Sequence, residues 1–250
     1  MGENNMCQSC GCLTTTHVAA ASRRHFLRFA GTAVASVALS SASFAAKAPP
    51  PKVQNILTPD AAFKRLMTGN GRYVAGVTKR HDFKSERETL TMGQNPYAAI
   101  LSCADSRIAP EYAFDAARGD LFVCRVAGNF ANEDVIASFE YGIAVLNCPL
   151  LMVLGHAACG AVDATIKSIK DGTTLPGHLP SLVAALSPAV KASAGQAGNA
   201  LDNAIKQNVL LNVEKLKTAT PIIDKAVADK KVLIVGGVYN LRTGRVDVLS

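Results

Sequence analysis

Two short stretches carry the residues whose types and spacing can do chemistry: Cys103-Ala104-Asp105-Ser106-Arg107 and His156-Ala157-Ala158-Cys159-Gly160. Together they offer two thiolates, one imidazole and one carboxylate. That donor set suits a tetrahedral Zn²⁺ rather than a hard ion such as Mg²⁺ or Ca²⁺. Cys159 follows His156 closely enough for both to bind one ion as a helix begins. Cys103, His156 and Cys159 as ligands would leave the fourth position exchangeable, which is the pattern of catalytic rather than structural zinc. Asp105 is the candidate occupant of that position in a closed state. In an extended chain residues i and i+2 point the same way, so Cys103, Asp105 and Arg107 are expected to face one cleft. Arg107 would grip Asp105 through a bidentate pair. Asp105 then acts as a gate, leaving room for water when held by Arg107 and closing the site when released. Two bland readings compete: a Cys103–Cys159 disulfide, and a mere surface ion pair for Asp105–Arg107. Cys124 and Cys148 each read as a small buried hydrophobe.

Each stretch follows an apolar run that would position it. Tyr97 to Ser102 and Leu150 to Leu154 are apolar on both faces, as strands of a parallel sheet covered on both sides must be. Asp120 to Val126 and Val232 to Tyr239 are two more strands, and Arg245 to Leu249 is an edge strand in a hairpin with the latter. Helices are expected from Thr58, with Pro59 at its first position, and over 132–146, 160–169, 199–216 and 220–228. The first helix is expected to break at Gly69-Asn70-Gly71 and resume over 72–79. Residues 89–93 form only a helical turn, and 177–197 form an irregular insertion with helical pieces. Strands alternating with helices make an α/β fold with a mostly parallel sheet of four to five strands flanked by helices. In such sheets ligands bind beyond the carboxyl ends of the strands, where Cys103 and His156 lie.

The front of the chain has a different character. Arg23-Arg24, followed by a weakly apolar stretch rich in Ala and Ser and by Ser43-Phe44-Ala45, reads as a twin-arginine signal peptide over residues 1–45, cleaved after Ala45. It implies a twin-arginine translocase as export partner and a periplasmic destination; an uncleaved anchor is the rival reading. Cys7, Cys10 and Cys12 have metal-like spacing but no second pair nearby, and fall within the leader. Residues 46–57, with Pro49-Pro50-Pro51, read as an extended spacer, and the folded domain as 58–250.

Composition narrows the rest. The chain has 250 residues, is 49% hydrophobic and 18% charged, and carries a formal net charge of +7. That is enough apolar material for one domain with a real core. The positive charge is scattered, without a basic block or an aromatic-rich basic stripe, so nucleic acid is not an expected partner.

At these residues the chain resembles the β-class carbonic anhydrases, from about residue 58 to 250. The resemblance rests on Cys103-x-Asp105-Ser106-Arg107, on Gly119 to Val123 with Arg125, on Glu140-Tyr141, on His156-x-x-Cys159-Gly160 and on Tyr239 to Val246. It implies a Rossmann-like sheet, one Zn²⁺ per subunit on Cys103, His156 and Cys159, and an Asp105–Arg107 dyad. It implies reversible hydration of CO₂ to bicarbonate and a proton, with a zinc-bound hydroxide as attacking group. By motif match Gln94, Phe122, Ala127, Tyr141 and Gly160 would line the substrate pocket. It also implies a homodimer or homotetramer. Two departures stand out. Val126 stands where the family often has Asn, and the chain has no Trp, so the bicarbonate regulation of some members is not expected. Hydrolysis of COS or CS₂ on the same scaffold, and non-catalytic binding of zinc or bicarbonate, are the alternative functions.

Overall fold

Residues 56–249 are described by the structure, a computed structural model. The leader reading over 1–45, with Cys7, Cys10 and Cys12, and the spacer up to Asn55 lie outside the described residues.

The first helix, α1 (Pro59–Val74), begins as its sequence dictates. Thr58 accepts a hydrogen bond from the Ala61 amide at 3.2 Å, Pro59 occupies the first turn and Asp60 favours its positive end. The expected break at Gly69-Asn70-Gly71 does not occur. Those residues read as a turn but serve tertiary contacts. A Cβ on Gly69 would lie 1.8 Å from the Phe114 carbonyl oxygen. Asn70 is buried, donates to the carbonyls of Ala113 and Gly244 at 2.8 Å each, and accepts from the Val246 amide at 3.0 Å. Tertiary ties thus override local propensity. Helix α2 (Ser85–Leu90) takes in the first two residues of the turn expected at 89–93 and starts earlier than it.

Strands β1 (Ala98–Ser102), β2 (Leu121–Arg125), β3 (Leu150–His156) and β4 (Leu233–Tyr239) are parallel, and β5 (Val246–Leu249) runs antiparallel to β4. Their order is β2-β1-β3-β4-β5, so the two motif-bearing strands are central neighbours. Every residue of β1 and β3 is buried. Alternate residues face opposite layers. Ala99, Leu101, Leu151 and Val153 meet α4 (Glu133–Ala144), α7 (Ala200–Lys217) and α8 (Ile223–Ala228) on one side. Ala98, Ile100, Leu150, Met152 and Leu154 meet α1 and α3 (Pro110–Ala113) on the other. Each fully buried Leu or Ile here is worth about 1.5–3 kcal/mol of burial.

A third, smaller cluster joins Cys103 and Cys159 to Val162, Leu186, Ala204 and Ile205. It is closed by α5 (Gly160–Asp171), α6 (Leu179–Ala192) and α7. The segment expected as irregular is therefore largely one helix, α6, running through Pro188. Leu186 and Ala189 give it a buried stripe. The last helix starts at Ile223, later than the expected Thr220, with a cis Thr220–Pro221 peptide ahead of it. None of the helices among the described residues is long and apolar enough to cross a membrane.

Candidate metal centre

Register brings the two motifs together. Ser102, the last residue of β1, pairs with Leu154 of β3, so Cys103 leaves the sheet beside Gly155 and His156. His156 still belongs to β3, opposite Tyr239 of β4, and is completely buried. The chain then turns sharply. Ala158 takes a left-handed backbone, φ +53°, which returns Cys159 toward the sheet as the N-cap of α5. The ligand atoms of Cys103, His156 and Cys159 lie within 4.8 Å of one another.

The state of each donor follows from its neighbours. His156 Nδ1 lies 2.9 Å from the Ala157 carbonyl oxygen and donates its proton there, which leaves Nε2 as a lone pair. Nε2 is buried and makes no hydrogen bond. An orphaned lone pair, desolvated and close to two sulfurs, is a polar atom that wants a ligand. The Cys103 and Cys159 sulfurs are 4.0 Å apart and both cysteines are free. A disulfide needs about 2.05 Å, so that rival reading does not describe this structure. Cys103 Sγ also accepts the Gly128 amide at 3.2 Å. The neighbouring Cys159 thiol, with further help from that amide, holds Cys103 well below the usual thiol range despite burial, and the same sharing pushes Cys159 up. Two soft sulfurs and one free imidazole nitrogen fit Zn²⁺ by donor chemistry.

Asp105 and Arg107 meet, but not on an extended strand. The segment turns at Ser106-Arg107, and the Asp105 carboxylate accepts the Arg107 backbone amide at 2.9 Å. The guanidinium closes over the same carboxylate, Nε to Oδ1 at 2.9 Å and Nη2 to Oδ2 at 2.7 Å. Arg107 holds Asp105 far below the usual carboxylate range, against the opposing effect of burial. Oδ2 stands 3.8 Å from His156 Nε2, at the rim of the three donors. Arg107 Nη2 also donates to the Ala158 carbonyl at 3.1 Å, which ties the two motif loops together.

Arg125 is a site residue whose role spacing did not reveal. Its Nε donates to the Cys103 carbonyl at 2.9 Å, and its Nη2 donates to the carbonyls of Asp105 at 2.8 Å and Ile108 at 2.9 Å. One side chain therefore fixes the whole first motif loop. The available signal was a cation ending an otherwise apolar strand.

The expected pocket residues separate into two groups. Ala127 precedes Gly128, the donor to Cys103, and Gly160 follows Cys159 as the first residue of α5. Phe122 instead packs on α4, its ring 6.3 Å from that of Tyr141, whose side chain is exposed. Gln94 is exposed ahead of β1, at the end away from Cys103; five strand residues at about 3.3 Å each put roughly 16 Å between those ends. Within one chain Gln94, Phe122 and Tyr141 are not gathered at the metal donors. Cys148 is buried and donates to the Leu150 carbonyl, and burial pushes its thiol up to about 12; half-buried Cys124 is pushed up likewise. Both behave as the hydrophobes expected of them.

The carbonic anhydrase family model matches residues 98–246, a span that begins at β1 and contains both motifs. Carbonic anhydrase 2 of Mycobacterium tuberculosis is 40% identical over 189 residues, covering 75% of this chain and 91% of that protein. A carbonic anhydrase of Mycolicibacterium smegmatis is 37% identical over 193 residues, covering 77% and 94%. Among solved structures, a tetrameric β-carbonic anhydrase from Sordaria macrospora superposes with a TM-score of 0.61 at 22% identity, covering 75% of this chain and 96% of that one, a likeness of fold.

Proposed function

The chain belongs to the β-class carbonic anhydrase family, and from that premise we propose that its carbonic anhydrase activity depends on one Zn²⁺ per subunit held by Cys103, His156 and Cys159. The reaction is CO₂ + H₂O ⇌ HCO₃⁻ + H⁺. The observation that carries the metal reading is the buried, unpartnered Nε2 of His156 beside two free sulfurs. Bound there, zinc would supply Lewis acidity, which generates a nucleophile from water near neutral pH.

The protein's own residues do the rest. Asp105, kept ionised by Arg107, is an acceptor and not a proton donor. It would orient a water or hydroxide at the rim of the donors by accepting its hydrogen bond. Arg107 keeps the carboxylate off the donors, the open position of the proposed gate, and Arg125 fixes the loop on which both stand. Ala127 and Gly160 would line the CO₂ pocket from within the chain. Gln94, Phe122 and Tyr141 enter that pocket only if a second subunit brings them, so their part is tied to a homodimer or homotetramer. An exposed apolar surface supports association: Tyr112, Phe83, Val77 and Tyr73 line a cavity of about 780 Å³.

Residues 1–45 are proposed to direct export of the folded protein by the twin-arginine translocase to the periplasm. Folding and metal loading before export would keep Cys103 and Cys159 reduced where unprotected thiols oxidise. Replacing the leader by one that exports unfolded chains should lower zinc content; equal zinc and activity in the two exported products would defeat this idea.

Stopped-flow CO₂ hydration on the zinc-loaded protein, with COS and CS₂ as comparison substrates, tests the activity. Cys159→Ser should lose zinc and at least 100-fold in kcat/KM. Full activity in Cys159→Ser would overturn the metal centre.

A further inference from the structure

Helix α7 reaches the sulfur of Cys103 through a segment that holds no ligand, residues 126–132. The Gly128 amide donates to Cys103 Sγ at 3.2 Å. The Gly128 carbonyl accepts from Asn208 Nδ2 at 2.8 Å. Asn208 in turn accepts from Asn212 Nδ2, at 2.8 Å on its carbonyl and 3.1 Å on Oδ1. Asn212 Oδ1 accepts the Ala131 amide at 2.7 Å, and Lys215 Nζ donates to the Ala131 carbonyl at 2.6 Å. The α7 side chains thus grip the segment on both sides of Asn129.

The grip is needed because the segment does not hold itself in a regular element. Gly128 and Asn129 both take left-handed backbones, φ +84° and +42°. Leu186 of α6 closes over Gly128, where a Cβ would lie 2.8 Å from its side chain. Asn208 and Asn212 are buried on the stripe of α7 that otherwise holds Ala204, Ile205, Val209, Val213 and Leu216. Leucine would fill such positions at no polar cost, so two buried amides there call for partners worth keeping. Those partners are the backbone groups of the segment that points an amide at Cys103.

We propose that Asn208 and Asn212 are positioning residues for the metal centre: they place the Gly128 amide on Cys103 Sγ and thereby set how tightly that sulfur holds the metal. Hydrogen bonds to a ligand from behind orient it and tune its donor strength, and their loss typically costs about 10–100-fold in metal affinity. The proposal rests on the reading of Cys103 as a metal ligand.

The test uses the full folded protein, wild type and variants, loaded in turn with Zn²⁺ and Co²⁺. Zinc affinity is read by chelator competition, and the sulfur-to-cobalt charge-transfer band by absorption. Asn208→Ala should lose zinc affinity about 10–100-fold and shift the band. Asn212→Asp keeps the acceptor for Ala131 but loses the donor to Asn208, and should shift both in the same direction by less. Leu216→Ala, on the same helix and fully buried, is the structural control; it should lower Tm while leaving affinity within about twofold and the band unmoved. If Asn208→Ala does not fold, Asn212→Asp decides. Wild-type affinity and an unmoved band in the deciding variant would overturn the proposal, as would equal changes in Leu216→Ala. A wild-type protein that takes up neither metal would defeat the underlying metal reading, and the proposal with it.

Discussion

His156 shows how a single residue can be legible in identity and hidden in state. Its spacing to Cys159 and its place after an apolar run name it as a ligand. That Nδ1 is tied to the Ala157 carbonyl, leaving Nε2 for a metal, depends on a local turn that no spacing encodes. Asp105 differs in the opposite way. The pairing with Arg107 was expected from an extended strand end, and the pair forms, but through a turn that folds the guanidinium back over the carboxylate. Since Arg107 keeps the carboxylate ionised, Asp105→Asn should remove the negative charge and one of the two acceptor oxygens and loosen the hold of Arg107, while leaving the three donors intact. We expect kcat to fall about 10–100-fold, a loss of roughly 1.4–2.7 kcal/mol, with zinc content unchanged by elemental analysis. Undiminished kcat would remove the dyad from the mechanism. Away from the site, Asp115 is a clearer electrostatic anchor. Burial opposes its ionisation, but the Thr78 hydroxyl, the Arg72 guanidinium and the Lys79 amide outweigh it and hold the carboxyl at about 2. A depressed folded value contributes stability that is present above the unfolded value near 4 and lost as pH falls toward 2. Asp115→Asn should therefore cost about 1–2 kcal/mol at neutral pH, and urea titrations should show the gap closing between pH 4 and pH 2.

At the scale of elements, strands were easier to foresee than helices. β1 and β3 are apolar on both faces because helices cover both, and that pattern survives in the sequence. Helix α1 was split at its glycines because their use lies in distant contacts, with Phe114 and Gly244, that local reading does not contain. Helix α6 was expected only as helical pieces because Pro188 and an alanine-rich sequence weaken its periodicity, while its stability comes from its buried Leu186 and Ala189, Leu186 packing with Cys103 and Cys159. The contact of α7 with the sheet is close enough to test. A Cβ on Gly236 would lie 2.6 Å from Val209 Cγ1, so α7 would have to move outward. Gly236→Ala should cost about 1–3 kcal/mol in denaturant unfolding, as overpacking does. Val209→Ala added to it should cost less than it does alone, and strict additivity of the two would show that the contact is not the cause.

For the whole molecule, the α/β class and the mostly parallel sheet were legible because strand and helix patterns alternate along the chain. The strand order was not, because it depends on crossovers that place β1 and β3 at the centre. The exposed aromatic cavity was equally hidden, since Tyr73, Val77, Phe83 and Tyr112 are spread along the chain and only folding collects them. If that surface joins subunits, Tyr112→Asp should shift the protein toward monomer in light scattering, and an unchanged mass would point the association elsewhere. Zinc is expected to stabilise the assembled protein by mass action, by about 4 kcal/mol at free metal a thousandfold above its Kd. Stripping with a chelator should lower Tm and added Zn²⁺ should restore it; a Tm indifferent to metal would argue against the site.

Ala158 carries a consequence that divides two goals of protein engineering. Its left-handed backbone costs an alanine about 1–2 kcal/mol, while glycine's extra freedom in the unfolded chain offsets about 0.5–1 of that. Ala158→Gly is thus expected to be neutral to slightly favourable for shelf life. Yet the same residue turns Cys159 back toward its partners and presents a carbonyl to Arg107, and a glycine would let that loop wander. A screen that ranks variants by heat resistance should keep Ala158→Gly; a screen that ranks them by turnover should discard it.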